Sequence, residues 1–457
     1  MSEDKNSSHQ PFANPQRTPT RARFEAGTYT VQAWRWFGRG RCLAEETRTG
    51  FTAPILGLLP GETATVEVES GLLRDALVQA ESIDAPSPWR VAPPCSQAAI
   101  CPGCTMQHVS QPGREDYAAT LITEVLQRFG GFDSPPTPRV RMGAAGDHRV
   151  RTKVWLRQPA TDETRVELRE QGDAGMREGP WEAGMRQRGR PQAPLVDFSR
   201  CVANAALLRE AVGWLKTMPL SDADWARWDG ESPSLELELV QPDASPLALH
   251  LEADEWEVGD RERLLRYLQD CAAAWGALSV ELVPAERPWT HVNPGMQAEL
   301  YEEVVGAVSL EGKRVFDLTC GDGGLSVELA RAGAIVAASD RHWPAVQRCA
   351  ARAEAEGLPI ETRGGDALAV LRGAKKRQEP VDLVVINPMR EPVGEATMRA
   401  VHESGATELL YLAPAPKAGA KDLGVLGLLG WELKQCVAVD LHPWTGQLMM
   451  LAVCALP

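Results

Sequence analysis

Apolar and polar positions alternate in two short runs near the start of the chain, residues 28–34 and 63–68. Gly38, Gly40 and the turn Leu59-Pro60-Gly61-Glu62 interrupt them. A period of two broken by turn residues predicts strands, and their number and shortness predict a small β-barrel over residues 24–86. A Pro-rich stretch follows at 84–94, and then a period near 3.6 predicts a helix over 115–129. Up to residue 285 the pattern is mixed α+β. Period-two runs occupy 235–240 and 247–251, and amphipathic helices are predicted near 207–215 and 264–271. From Glu311 onward apolar strands alternate with helices, which predicts a mostly parallel sheet covered on both faces. The first 23 residues are polar and proline-bearing and read as a disordered tail. The expectation is a multidomain α/β protein: tail 1–23, barrel 24–86, central domain 87–285 and a Rossmann-like domain 286–457.

Composition narrows the class of function. With 457 residues the chain exceeds one ordinary core. It carries no apolar run long enough to span a bilayer and no secretory signal, so no membrane partner is expected. Ten cysteines in that setting read as thiols kept reduced in a cytoplasmic compartment. Nothing in the pattern suggests an obligate dimer, so a monomer is expected. The net charge of −14 opposes long-range attraction to a polyanion, but its distribution is uneven. Arg139, Arg141, Arg149, Arg151, Lys153 and Arg157 face only Asp147 within residues 139–157, and Arg186, Arg188 and Arg190 form a second basic stretch. Such a run is either a solvated face or a nucleic-acid contact.

Two groups of residues carry candidate chemistry. Cys95, Cys101 and Cys104 are spaced C-x5-C-x2-C in a loop with Pro93, Pro94, Pro102 and Gly103, and three thiolates this close can wrap one metal centre. Cys201, after a strand-like run at 195–198, is the candidate fourth ligand; spacing alone leaves iron–sulfur and zinc both open. In the C-terminal region, residues 315–324 form an apolar strand, a glycine-rich turn with Asp317, Gly321 and Gly323, and a helix start. Glycines allow close approach of backbone to a ligand, and a dinucleotide would fit such a turn. Asp340 at the end of the next strand and Asp366 after the third shift the reading toward S-adenosylmethionine, because a carboxylate there can hold ribose hydroxyls.

These residues together make the chain similar to the RNA 5-methyluridine (uracil-C5) methyltransferase family. The segment with Leu59-Pro60-Gly61-Glu62 and Ser87 resembles its TRAM domain, an RNA-binding OB-type barrel. Cys95, Cys101, Cys104 and Cys201 match its four ligands to a 4Fe–4S cluster. Residues 148–153, with Arg149, Arg151 and Lys153, resemble its central basic strand, and Met185-Arg186 fits the run leading to the last cysteine. Trp289-Thr290-His291-Val292-Asn293 aligns with its Phe-x-Gln-x-Asn segment, with His291 in place of glutamine. The resemblance implies S-adenosylmethionine bound by His291, Asp317, Gly321, Gly323, Asp340, Asp366 and Asn387. It also implies an RNA partner, ribosomal or transfer RNA.

The same resemblance exposes departures. Uracil carbon 5 is a poor nucleophile, so in that family a cysteine adds to carbon 6 and a carboxylate base later removes the carbon 5 proton. Here Leu410-Tyr411-Leu412-Ala413-Pro414 puts Ala413 at the nucleophile position. In Pro443-Trp444-Thr445-Gly446-Gln447-Leu448-Met449, Met449 stands at the base position and both expected histidines are absent. Asn387-Pro388-Met389-Arg390 replaces Asp-Pro-Pro-Arg. Three readings follow. The chain is a non-catalytic RNA-binding member, or a methyltransferase acting on a different atom that needs no covalent activation, or a uridine enzyme with a relocated nucleophile.

Overall fold

The computed structural model describes residues 23–68, 71–72, 82–157, 182–185, 195–217, 234–240, 247–251, 266, 269–270, 278–282 and 292–457. The chain divides into two compact units. The first comprises residues 1–99, 103–121 and 444–447, and the second residues 100–102, 122–443 and 448–457.

In the first unit, β1 (Arg23–Phe24) pairs with β6 (Gly71–Leu72), while β2 (Gly27–Phe37), β3 (Arg41–Glu46), β4 (Thr52–Leu56) and β5 (Thr63–Val68) form an antiparallel sheet in the order β4-β3-β2-β5. The period of two expected over residues 28–34 and 63–68 is realised in β2 and β5. Val31, Ala33, Cys42, Ala44, Ile55, Ala64 and Val66 bury one face. The described strands are thus a four-stranded sheet with a separate two-stranded ribbon. Glu62, in the anticipated turn, is fully buried, where the Leu59 and Ser87 N–H groups and the Arg90 guanidinium donate to it. A buried carboxylate needs such donors, which explains why Glu62, Ser87 and Arg90 occur together. Helix α1 (Gln111–Gly130) begins in this unit, where Tyr117 and Trp36 meet edge to face, and the Trp36 indole donates to Asp116.

The second unit contains two sheets. One is built from β8 (Arg151–Arg157), β9 (Glu182–Met185), β10 (Val196–Asp197), β11 (Ser234–Val240), β12 (Leu247–Leu251) and β13 (Leu278–Leu282), in the order β10-β9-β8-β11-β12-β13. Helix α2 (Ala206–Thr217) packs on it where the 3.6 period placed one. Most of the helix anticipated near 264–271 lies outside the described residues.

The other sheet has eight strands. Helix α3 (Pro294–Gly306) leads into its parallel strands, capped by the Asn293 side chain, which accepts from the Met296 N–H, with Pro294 pre-set for the first turn. The strands are β7 (Arg139–Met142), β14 (Arg314–Asp317), β15 (Ile335–Asp340), β16 (Ile360–Gly364), β17 (Leu383–Ile386), β18 (Glu408–Ala413), β19 (Glu432–His442) and β20 (Gln447–Ala455). The order is β16-β15-β14-β17-β18-β20-β19-β7, with β14 to β18 parallel and β20 antiparallel to β18. Crossovers run through α4 (Gly324–Arg331), α5 (Trp343–Glu356), α6 (Ala367–Arg377), α7 (Glu395–Glu403) and α8 (Pro416–Leu428). From β14 the chain first moves outward through β15 and β16, then returns to the other side of β14 for β17 and β18. The switch point lies between β14 and β17, where open α/β sheets bind ligands at the carboxyl ends of their strands. Val315, Val336, Leu383, Val385, Leu410 and Leu412 join Met296, Leu300 and Leu325 in the core on one face.

Candidate active site

The expected cofactor residues converge on one edge of the sheet. Asp317 ends β14, Asp340 ends β15, Asp366 follows β16 and Asn387 follows β17, and the parallel register brings these four carboxyl ends side by side. Gly321 and Gly323 shape the turn after β14 with φ of +51° and +82°. Gly323 has a further constraint: a Cβ there would lie 2.5 Å from the Cys349 sulfur, so only glycine lets α5 approach the turn.

Each acid at this edge is held by its neighbours. Asp340 accepts from the Gly321 N–H at 3.1 Å and the His342 N–H at 2.9 Å, which ties the glycine turn to β15. Asp366 caps α6 by accepting from the Ala369 N–H at 2.9 Å. Asp317 is buried and accepts from the Ser326 hydroxyl and the Thr319 N–H. Burial pushes its carboxyl up to about 6, against the lowering effect of those two donors. Asp317 therefore shapes the turn from beneath. Thr319 and Ser326 were not singled out in the sequence. Thr319 spans the switch point, its Oγ1 accepting from the Asn387 N–H at 2.6 Å. A hydroxyl two residues past a strand-ending acid is the one signal that could have marked it. His291 lies outside the described residues.

Further along the same carboxyl edge, the end formed by β18 and β20 is apolar. Ala413 is 1% exposed and pairs with Met450 across β18 and β20. A Cβ on Gly419 of α8 would lie 2.5 Å from the Ala413 Cβ, so helix and strand are in close contact there. Met449 is buried in the core cluster with Leu412, Leu441 and Leu451. Alternation along the strands therefore turns Met449 toward the core cluster, and Ala413 the other way, toward α8. The retained Thr445-Gly446 has a structural explanation within the first unit. Their carbonyls accept from the Thr105 hydroxyl and the Tyr117 hydroxyl, both at 2.7 Å, and a Cβ on Gly446 would lie 2.4 Å from the Gly40 nitrogen.

Of the basic candidates, Arg139 and Arg141 are exposed, whereas Arg149 and Arg151 are partly covered. Arg139 and Arg141 both pair with Glu303 of α3. Arg149 is half-buried, with backbone hydrogen bonds to Ala203 and Ala205, and Arg151 is half-buried. The backbone of Lys153 lies opposite Glu238 of β11. Beside them burial pushes the His148 imidazole down to about 4, reinforced by Arg149 and His442, so this histidine is neutral at neutral pH.

Cys95, Cys101 and Cys104 lie outside helices and strands, and Cys201 caps a 3-10 turn (Phe198–Arg200). All four are free of disulfides, and an all-thiol donor set suits iron or zinc. Cys95 and Cys104 belong to the first unit, Cys101 and Cys201 to the second. Among the described residues no three His, Cys, Asp or Glu side chains are gathered to hold a metal ion. No described helix is long and apolar enough to cross a membrane.

Residues 298–409 match the Methyltransferase small domain family. The chain is similar to the 23S rRNA (uracil(1939)-C(5))-methyltransferase RlmD of Hahella chejuensis, 24% identical over 431 residues, covering 89% of this chain and 93% of that protein. It is similarly related to RlmD of Pseudomonas aeruginosa, 24% identical over 435 residues and covering 91% of each. Its fold is that of the Pyrococcus abyssi tRNA (uracil-54, C5)-methyltransferase, solved with S-adenosyl-L-homocysteine, at a TM-score of 0.63 and 16% identity over 93% of this chain and 99% of that one.

Proposed function

We propose that the chain is an RNA-binding protein of the S-adenosylmethionine-dependent RNA uracil-C5 methyltransferase type that keeps the methyl-donor site and lacks uridine carbon 5 chemistry. One observation carries the reading. The donor edge holds Asp340 and Asp366 beside a left-handed glycine turn, while Ala413 and Met449, at the positions of nucleophile and base, are buried apolar side chains. When bound, S-adenosylmethionine supplies an electrophilic methyl group. Asp340 would accept from the ribose hydroxyls, the glycine turn would admit the amino-acid portion, and Asn387 would flank the donor from β17. Without a thiol at position 413 a uracil ring stays unactivated however well the donor is held. The similarity to RlmD proteins supports RNA as the partner.

Calorimetry with S-adenosylhomocysteine tests the donor site. Binding is expected, and Asp340→Ala is expected to weaken it about tenfold to a hundredfold, the loss of a charged hydrogen bond. Labelled methyl transfer into total RNA, followed by nucleoside identification, tests the chemistry. Formation of 5-methyluridine by the unaltered protein overturns the reading, whereas a methylated amine or hydroxyl selects an enzyme acting on a different atom.

The finer parts of the reading rest on the resemblance of these segments to the RNA uracil-C5 methyltransferase family. Residues 24–86 are a TRAM-type module, Arg149, Arg151 and Lys153 contribute to the RNA face, and Cys95, Cys101, Cys104 and Cys201 hold a 4Fe–4S cluster as a structural staple that closes a long loop. Protein purified without air should then be brown with about four irons per chain. A colourless, zinc-loaded protein refutes the cluster.

A further inference from the structure

Two thiols meet at the glycine turn. Cys320 lies in the turn itself, between Thr319 and Gly321, and keeps 7% exposure, whereas Cys349 lies on α5 and is fully buried. Both belong to one core cluster, and neither is in a disulfide. The backbone brings them together. The Gly323 N–H donates to the Cys320 carbonyl at 2.9 Å, and a Cβ on the same Gly323 would lie 2.5 Å from the Cys349 sulfur and 3.0 Å from its Cα. The Cys320 thiol then has two acceptors in reach, the Gly321 carbonyl at 3.4 Å and the Cys349 sulfur.

That contact sets the pair apart from other buried thiols. Donation from Cys320 pulls the Cys349 thiol below its ordinary value, with burial opposing it. Cys320, which holds the proton, is raised by the same bond and then by burial. By contrast burial pushes Cys436 and Cys454 up to about 12. A thiol that ionises readily beside a second thiol is the arrangement that oxidises to a disulfide. The S–S bond, at about 2 Å, is much shorter than a hydrogen-bonding contact between thiols. Closing the gap has to move the turn, because at Gly323 even a Cβ would not fit between turn and α5. The same turn is held by the Gly321 N–H on Asp340 at 3.1 Å and by the Cys320 N–H on the Ser339 carbonyl at 2.9 Å.

We propose that hydrogen peroxide joins Cys320 and Cys349 in a reversible disulfide, and that this bond distorts the glycine turn and weakens S-adenosylmethionine binding. This rests on the donor-site reading above. One sulfur attacks a peroxide oxygen, the O–O bond breaks, and the departing hydroxide leaves as water with the thiol proton. The second sulfur attacks the resulting sulfenic acid, the S–S bond forms as the S–O bond breaks, and a second water carries off the second proton. Two thiols are oxidised while one peroxide is reduced to two waters. A dithiol reverses the change by exchange and becomes a disulfide itself.

The test uses the full chain, reduced or treated with hydrogen peroxide. Peptide mass mapping after alkylation of the remaining thiols should find Cys320 linked to Cys349. Calorimetry should show S-adenosylhomocysteine binding weakened about tenfold or more, the scale of the charged hydrogen bond between Gly321 and Asp340, and restored by dithiothreitol. Cys349→Ala cannot form the link. Given the same peroxide, it should keep its own reduced affinity within roughly twofold, which separates the pair from damage at the other thiols. Cys320→Ala replaces it if that variant does not fold. If the reduced, unaltered protein fails to bind S-adenosylhomocysteine, the donor-site reading falls and the switch with it. If it binds, the switch alone is overturned by any of three results: no Cys320–Cys349 link, a link without loss of affinity, or an equal loss in the variant.

Discussion

Along the carboxyl edge of the eight-stranded sheet, the end formed by β14 to β16 and the end formed by β18 and β20 differ in how their side chains are used. At the donor edge Asp317, Asp340 and Asp366 accept from hydroxyls and backbone N–H groups of the surrounding turns, so each carboxylate also holds the local fold. At the ends of β18 and β20, Ala413 and Met449 pack as hydrophobic side chains against α8 and the core. Polar groups that cap turns are retained for stability whatever the chemistry, whereas a nucleophile or base has no structural work to do. Intact acids at the donor edge are therefore weaker support for catalysis than they look in the sequence, and the apolar end is the more informative one.

The sharpest way to break this comparison is to put a charge back at the apolar end. Met449→Glu places a carboxylate among Leu412, Leu441 and Leu451, and should lower the free energy of unfolding by about 3 kcal/mol or more at neutral pH. Because burial would raise the pKa of the new carboxyl in the fold, the loss should shrink as pH falls and the group protonates. Urea denaturation at two pH values reads this out. A fully stable Met449→Glu would mean the site still accommodates a base.

A smaller effect tests the donor edge. Asp317 has its carboxyl raised from an ordinary 3.8 to about 6 by burial, so between those values the folded state binds a proton that the unfolded state has released. Its contribution to stability is then fully present below pH about 4 and lost as pH rises to about 6, by up to about 3 kcal/mol. Asp317→Asn cannot titrate, so its stability relative to the unaltered protein should improve across that window. A difference independent of pH would contradict the burial argument.

The smallest effect concerns the switch point. Thr319→Val removes the acceptor for the Asn387 N–H and should cost about 1–2 kcal/mol in urea denaturation. It should also speed amide exchange at Asn387, while Ala413→Cys should leave that amide unchanged. Equal exchange at Asn387 in Thr319→Val would show that the bond does not hold the two turns together.

Much of this architecture was legible in the sequence because it depends on local periodicity. The period of two reads out β5 and β12, the period near 3.6 reads out α1 and α2, and the run from Val315 to Gly324 reads out strand, turn and helix. The roles of Asp317, Asp340 and Asp366 were only half legible. Strand ends place a carboxylate at the sheet edge, but which donors engage it depends on residues up to 19 positions away, as with Gly321 and Asp340. The basic run at residues 139–157 read as a possible nucleic-acid face, yet Arg139 and Arg141 meet Glu303, 164 and 162 residues further on. Asp422, a single acid in a helical pattern, gave no signal at all.

The sequence by itself determined the alternation of strands and helices, the positions of the glycine turn and the acids after successive strands, and the absence of a thiol at 413 and a carboxylate at 449. Those follow from side-chain identity and short-range backbone preference. Only the tertiary structure decided that Met449 points to the core and Ala413 to α8, that Thr319 bridges β14 and β17, and that the buried Asp422 carboxylate of α8 meets the Val393 and Gly394 N–H groups. These depend on the order of strands in the sheet and on which face each residue takes, and both are set by packing between segments far apart in the chain.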